Sequence, residues 1–227
     1  MPKLIKKRVE KKGHKNDDIQ ETVTDIRERL KHNQRSLVYS ISAFIIIIAA
    51  ITGFVIYSKV NTSTALDLEY EGYRIYHGEP QAQAIPVPER YQKALEKFKK
   101  SYAAKKRPAV LLYIANCYYE LGKYDETIKT LKEFNNQFPE PQNIPLSYYK
   151  MAMAYAQKGD MNNALNSLNS LSSIKDGALH DMALMESGKI LESMGKTEEA
   201  RNKYKELVSK FPKSALLNEA KIKLGEK

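Results

Sequence analysis

Three glycines, Gly122, Gly159 and Gly195, stand 37 and 36 residues apart, and the chain around each carries one pattern with no internal gap. Eleven residues before each stand Leu111, Tyr148 and Leu184; eight before stand Ile114, Met151 and Ser187; four before stand Tyr118, Tyr155 and Leu191. Seven before them the residue is always small, Ala115, Ala152 or Gly188, and five after it is Thr127, Ala164 or Ala200. Nine after come Leu131, Leu168 and Tyr204, twelve after come Phe134, Leu171 and Leu207, and seventeen after come Pro139, Asp176 and Pro212. A period in this range means one small unit stacked on copies of itself, so the pattern fixes the architecture before any composition value is consulted.

The spacing within a unit is helical on both sides of the glycine. Positions eleven, eight, seven and four before it lie on one helical face, and those five, nine and twelve after it lie on another. A glycine between two such runs accepts the left-handed conformation that ends one helix and starts the next. Small residues at the crossing let the two helices approach, and large residues on either side fill the groove between neighbouring hairpins. One hairpin cannot bury its apolar stripe alone, so stacking must supply the core.

These residues resemble the tetratricopeptide repeat, and the resemblance implies an all-α solenoid. Residues 64–77 and 90–105 are expected to form a first hairpin, with Leu66, Tyr70 and Tyr73 as the stripe of its first helix and Ala94 and Phe98 in its second. The proline-rich stretch 79–89 reads as the loop between them, and Pro108 as the end of the second helix. Residues 214–224 read as a closing helix, with Leu216, Leu217, Ala220 and Leu224 facing inward. The domain would span 64–227 and hold about three and a half hairpins plus a cap. By the same resemblance, the first helix of each hairpin lines a concave protein-binding groove. Its residues here would be Leu112, Asn116 and Tyr119 in one unit, Tyr149, Met153 and Gln157 in the next, and Met185, Lys189 and Glu192 in the last. Leu112 and Tyr149 stand where the variant that clamps a C-terminal carboxylate carries lysine.

Upstream, Leu37–Tyr57 holds no charge over 21 positions, twelve of them Leu, Ile, Val or Phe. A helix of that length spans about 31 Å, close to the roughly 30 Å of a bilayer's hydrocarbon core. Those twelve residues contribute about 4–7 kcal/mol toward insertion, which offsets Ser40, Ser42, Thr52 and Gly53. The stretch reads as an uncleaved signal anchor, since a cleaved signal peptide has a shorter apolar region and a shorter leader. Arg27, Arg29, Lys31 and Arg35 precede it closely and only Lys59 and Arg74 follow within twenty residues. That bias keeps the N-terminal side in the cytoplasm and sends the long domain across. Residues 58–63 read as a polar tether.

Residues 1–36 carry 11 Lys/Arg against 6 Asp/Glu. The basic run at 3–12 suits a topogenic flank or a patch for anionic lipid. As an RNA-binding arm it lacks any aromatic residue for stacking, and no nucleic-acid partner is expected. Asp18 and Glu21 resemble a capping pair, and Ile19, Val23, Ile26 and Leu30 form a narrow stripe. That helix could lie on the membrane, pair with a copy of itself, or pack on a partner's cytoplasmic loop.

Nothing points to catalysis, a metal or a cofactor. His14, His32, His77 and His180 are scattered and none has a carboxylate or cysteine at ligand spacing. Phosphate-binding and hydrolase motifs are missing. Asp125–Glu126 and Glu198–Glu199 open second helices, where carboxylates complement the dipole. The single cysteine, Cys117, sits in a tightly patterned helix and reads as a small buried hydrophobe.

The whole layout of basic arm, one span and degenerate repeats resembles the bacterial ancillary SecYEG translocon subunit family. The resemblance implies a non-enzymatic adaptor in the inner membrane, with its repeat domain in the periplasm. Its partners would be translocon components, periplasmic chaperones or exported chains. A scaffold for an envelope assembly, in cell division or outer-membrane biogenesis, is the other class this layout fits.

Overall fold

Most helix starts are written into the sequence as prolines and acids, and several helix ends as glycines. The computed structural model describes residues 23–28, 31, 34–80, 84–140, 142–175 and 179–226. Among them every regular element is a helix, with no strand. It divides into two units, Met1–Lys59 and Val60–Lys227. Helix α1 (Gln34–His77) runs through both. Then follow α2 (Val87–Ala104), α3 (Pro108–Glu120), α4 (Tyr124–Gln137), α5 (Ile144–Gln157), α6 (Met161–Ser172), α7 (His180–Ser193), α8 (Thr197–Lys210) and α9 (Leu217–Leu224).

In the first unit, the apolar part of α1 has an 18-residue window of mean hydropathy 2.4, none of it buried. It is long and apolar enough to cross a membrane. Residues 23–28 are helical, with Val23 and Ile26 exposed. The capping pair at Asp18 and Glu21, the rest of that stripe and the basic run lie outside the described residues.

In the second unit, α3–α4, α5–α6 and α7–α8 are the three hairpins the glycine spacing announces. At each turn the glycine takes a φ between +70° and +80°. The residue after it donates its backbone N–H five residues back at 2.9 Å: Lys123 to Tyr118, Asp160 to Tyr155, Lys196 to Leu191. This is the Schellman arrangement, and it satisfies carbonyls the helix end would otherwise orphan. Pro88, Pro108 and Pro145 sit in the first turns of α2, α3 and α5, where a missing N–H loses no bond. Asp160 caps α6, accepting from the Asn163 N–H at 3.2 Å.

The core runs as linked clusters along the stack. Phe98, Val110, Ile114 and Phe134 form one, and Ala115, Leu131 and Met151 the next. Ala152, Leu168, Leu171 and Ala183 follow, and then Met185, Tyr204, Leu207 and Leu224. Half-buried Leu112 touches the first two clusters and Leu165 the last two. Within each hairpin, the small residue of the first helix faces the small and the large residue of the second. All of Ala115, Ala152, Leu131, Leu168 and Tyr204 are fully buried. The Thr127 hydroxyl reaches the Ala115 carbonyl at 3.4 Å. At Gly188 a Cβ would clash with one edge of the Tyr204 ring, so the glycine is what makes room for tyrosine where the other hairpins carry leucine.

The first hairpin departs from expectation in several ways. Residues 58–63 are not a tether but part of α1; with no glycine or proline between Gly53 and Gly72, nothing breaks the ladder. Leu66, Tyr70 and Tyr73 are exposed, and Ala65 and Gly72 are the buried positions. A Cβ at Gly72 would lie 2.8 Å from the Phe98 ring, so the inward face is marked by its smallest residues rather than its largest. Ser101 donates to the Ala65 carbonyl at 2.7 Å and Lys97 pairs with Glu71, tying α2 to α1. Helix α2 begins at Val87 rather than Arg90, and Pro108 opens α3 rather than closing α2. The closing helix begins at Leu217 after a turn, with Ala220 and Leu224 buried and Leu216 and Leu217 half-buried. Asp176, aligned with the two prolines that follow the other hairpins, lies outside the described residues.

The Gly188–Tyr204 contact is testable as a pair. Gly188→Ala should lower stability by about 1–3 kcal/mol through overpacking. Adding Tyr204→Leu, which recreates the Ala152–Leu168 pairing, should recover at least half of that loss. Urea denaturation followed by far-UV circular dichroism in a double-mutant cycle reads the coupling.

Candidate functional site

Helices of the second unit line a partly open cavity of about 210 Å³ between α1, α3, α4 and α5. Tyr76 comes from α1, Asn116, Tyr119 and Glu120 from α3, and Tyr149, Lys150 and Met153 from α5. Thr127 of α4, the small residue facing Ala115, closes the floor. The repeat explains the convergence. Asn116 and Tyr119 follow the small position of α3 by one and four residues, and Met153 follows that of α5 by one. They therefore sit beside the crossing rather than in it.

The rings are held by one another. Tyr119 meets Tyr124 edge-on with centroids 5.4 Å apart. Tyr76 packs against Tyr91 at 5.2 Å and edge-on to Tyr113 at 5.6 Å. Tyr113 in turn stacks on Phe98 at 4.8 Å and 9°. Burial raises the Tyr76, Tyr119 and Tyr149 phenols above the ordinary range. Next in weight, Glu120 adds to this at Tyr76, Tyr124 at Tyr119 and Glu186 at Tyr149. A hydrogen bond with Gln157 opposes it at Tyr119, as does the Lys189 charge at Tyr149. All three stay protonated well past neutrality and remain hydrogen-bond donors. Burial lowers Lys150, against the pull of Glu120. Behind the wall, burial pushes the Cys117 thiol up to about 12, with Glu120 adding to it.

Of the nine residues expected to line a groove, the structure gathers Asn116, Tyr119, Tyr149 and Met153 at this cavity. Leu112 is half-buried between two core clusters. Gln157 is exposed at the end of α5. Met185 offers no surface: it is 0 % exposed, packed among Tyr204, Leu207 and the closing helix. Lys189 pairs with Glu186 at 3.2 Å and Glu219 at 2.9 Å, and Glu192 with Lys223 at 2.6 Å. Helix α9 thus covers the inner face of α7, because its Ala220 and Leu224 need the apolar surface there. Tyr76, Glu120 and Lys150 escaped the reading of the repeat. Tyr76 belongs to the hairpin whose register was misassigned, and the other two stand next to expected groove positions.

Among the described residues no group of three or more His, Cys, Asp or Glu side chains is placed to hold a metal ion. What the site offers is a shaped, aromatic, hydrogen-bonding surface. The model of the family described as tetratricopeptide repeat-like domain matches residues 30–226. This chain belongs to the tetratricopeptide repeat-like family. No curated protein matches it. Among solved structures, the Podosopora anserina putative kinesin light chain with nearly identical TPR-like repeats is similar, with a TM-score of 0.55 at 15 % identity, over 72 % of this chain and 84 % of that one. MamA protein gives 0.51 at 18 % over 73 % and 83 %, and a second MamA structure 0.50 at 20 % over 60 % and 76 %. At such identities the likeness is one of fold. A tetratricopeptide repeat-like stack supports a protein-interaction adaptor, and the cavity lies on the inner helices of that stack.

Cys117 gives a direct readout of the wall's integrity. At neutral pH its thiol should react with a maleimide at least about 100-fold more slowly in the folded protein than in urea, since both burial and the lost thiolate oppose attack. Mass spectrometry of timed samples measures the ratio.

Proposed function

We propose that this chain is a non-enzymatic, membrane-anchored adaptor for protein–protein contacts. Residues 37–57 hold it in the bacterial inner membrane with the N-terminal side cytoplasmic and the repeats in the periplasm. There it acts beside the secretion translocon on periplasmic chaperones or exported chains. The observation that carries this reading is α1: its apolar window is wholly unburied, unlike a core helix, and the same helix supplies the first member of a repeat stack. The Arg/Lys excess before the span supports the orientation. Anchoring confines the inner-face cavity to a thin layer at the membrane and raises its effective concentration for weak contacts with emerging polypeptides. The expected groove residues Leu112 and Gln157 flank that cavity in sequence on α3 and α5, whereas Lys189 and Glu192 are engaged by α9.

Two measurements test it. In intact spheroplasts, external protease should remove residues 58–227 and leave a tag ahead of residue 1 protected; protection of the repeats would place them in the cytosol and end this reading. A photo-crosslinking residue at position 119 or 149 should then capture many different exported chains or translocon components. Capture of one folded envelope protein alone would favour a scaffold.

A further inference from the structure

The cavity at Tyr76, Tyr119 and Tyr149 has a size and lining that select what enters it. At about 210 Å³ it is below the 300–1,000 Å³ of sites for drug-sized ligands. It is too small for a helix and large enough for one bulky side chain. Its walls are three phenol rings from three successive hairpins and the Met153 thioether, surfaces that pack well against a flat ring. Two of the three rings are fixed before any guest arrives, Tyr119 by Tyr124 and Tyr76 by Tyr91 and Tyr113, so little order is lost there on binding. Charge decides between the remaining guests. Glu120 and Lys150 line the same space with opposite signs, so an acidic or a basic side chain meets one attraction and one repulsion. Either would also shed its water to enter. An uncharged guest escapes both costs. The Asn116 amide and the protonated phenols supply donors and an acceptor for the main chain that carries the guest.

We propose that this cavity is an anchor site for a single aromatic side chain, Phe, Tyr or Trp, presented by an extended, non-helical segment of a partner polypeptide. The inference rests on the adaptor reading and sharpens it: the chain would sample unfolded stretches by their aromatic residues, not by a terminal carboxylate or a charge motif.

The chain contains no tryptophan, which makes the test direct. Full-length protein in detergent is titrated into capped Gly/Ser/Gln nonapeptides that differ only at a central Trp, Phe, Leu, Lys or Glu. Trp emission should shift to the blue on binding. In competition against the Trp peptide, the Phe peptide should bind at least tenfold more tightly than the Lys and Glu peptides, and more tightly than Leu. Tyr149→Ala and Met153→Glu should each weaken the Trp peptide at least fivefold, while Lys158→Ala, outside the cavity, leaves it unchanged. Tyr119→Phe, which keeps the ring, should retain most of the binding and guards against a loss due to misfolding; far-UV circular dichroism checks the others. Equal binding of all five peptides would overturn the aromatic anchor and leave the adaptor reading standing. A preference for Lys or Glu would overturn it in favour of a charge-reading site. Absence of binding to any peptide, in a protein that also fails to crosslink exported chains from positions 119 and 149, would remove both.

Discussion

Each hairpin depends on one contact: a small residue on its first helix lying against a small and a large residue on its second. The distance between the two helices is set there, and the positions of the next hairpin follow from it. Ala115 with Thr127 and Leu131, Ala152 with Ala164 and Leu168, and Gly188 with Ala200 and Tyr204 are three solutions to the same volume. Gly72 with Ala94 and Phe98 is a fourth. Where the first helix loses its last side-chain carbon, the second gains an aromatic ring. Interiors packed to crystal-like density leave no slack for another arrangement.

Because this contact recurs with the period of the chain, the three glycine-centred hairpins could be read from sequence almost residue by residue. The first could not. Its inward face is Ala65 and Gly72, and a search for large apolar residues at helical spacing finds Leu66, Tyr70 and Tyr73 instead, which are exposed. The proline reading failed for a related reason. Pro88 and Pro108 interrupt a helix interior but open a first turn, and sequence alone does not say on which side of the boundary they fall.

The lining of the candidate cavity was legible in part. Asn116, Tyr119, Tyr149 and Met153 follow from the repeat register, since it fixes which residues flank the crossing. Tyr76 did not, because its hairpin was placed in the wrong register. Met185 was misjudged because nothing local says that α9 folds back over α7; that contact joins residues more than thirty positions apart. Leu112 illustrates the limit of an exposed-or-buried choice, since it bridges two core clusters while still half open to solvent.

Helix α9 also covers the last hairpin. A stack of identical units has two ends, and an uncovered end is a template onto which another molecule's stack could grow, head to tail and without closure. Here the last hairpin's apolar surface is taken by Ala220 and Leu224, while Lys221, Glu219 and Lys223 lie on the same short helix. A second copy approaching this helix would therefore meet Ile222, 73 % exposed between Lys221 and Lys223, and not the Met185, Tyr204 and Leu207 surface that Ala220 and Leu224 already cover.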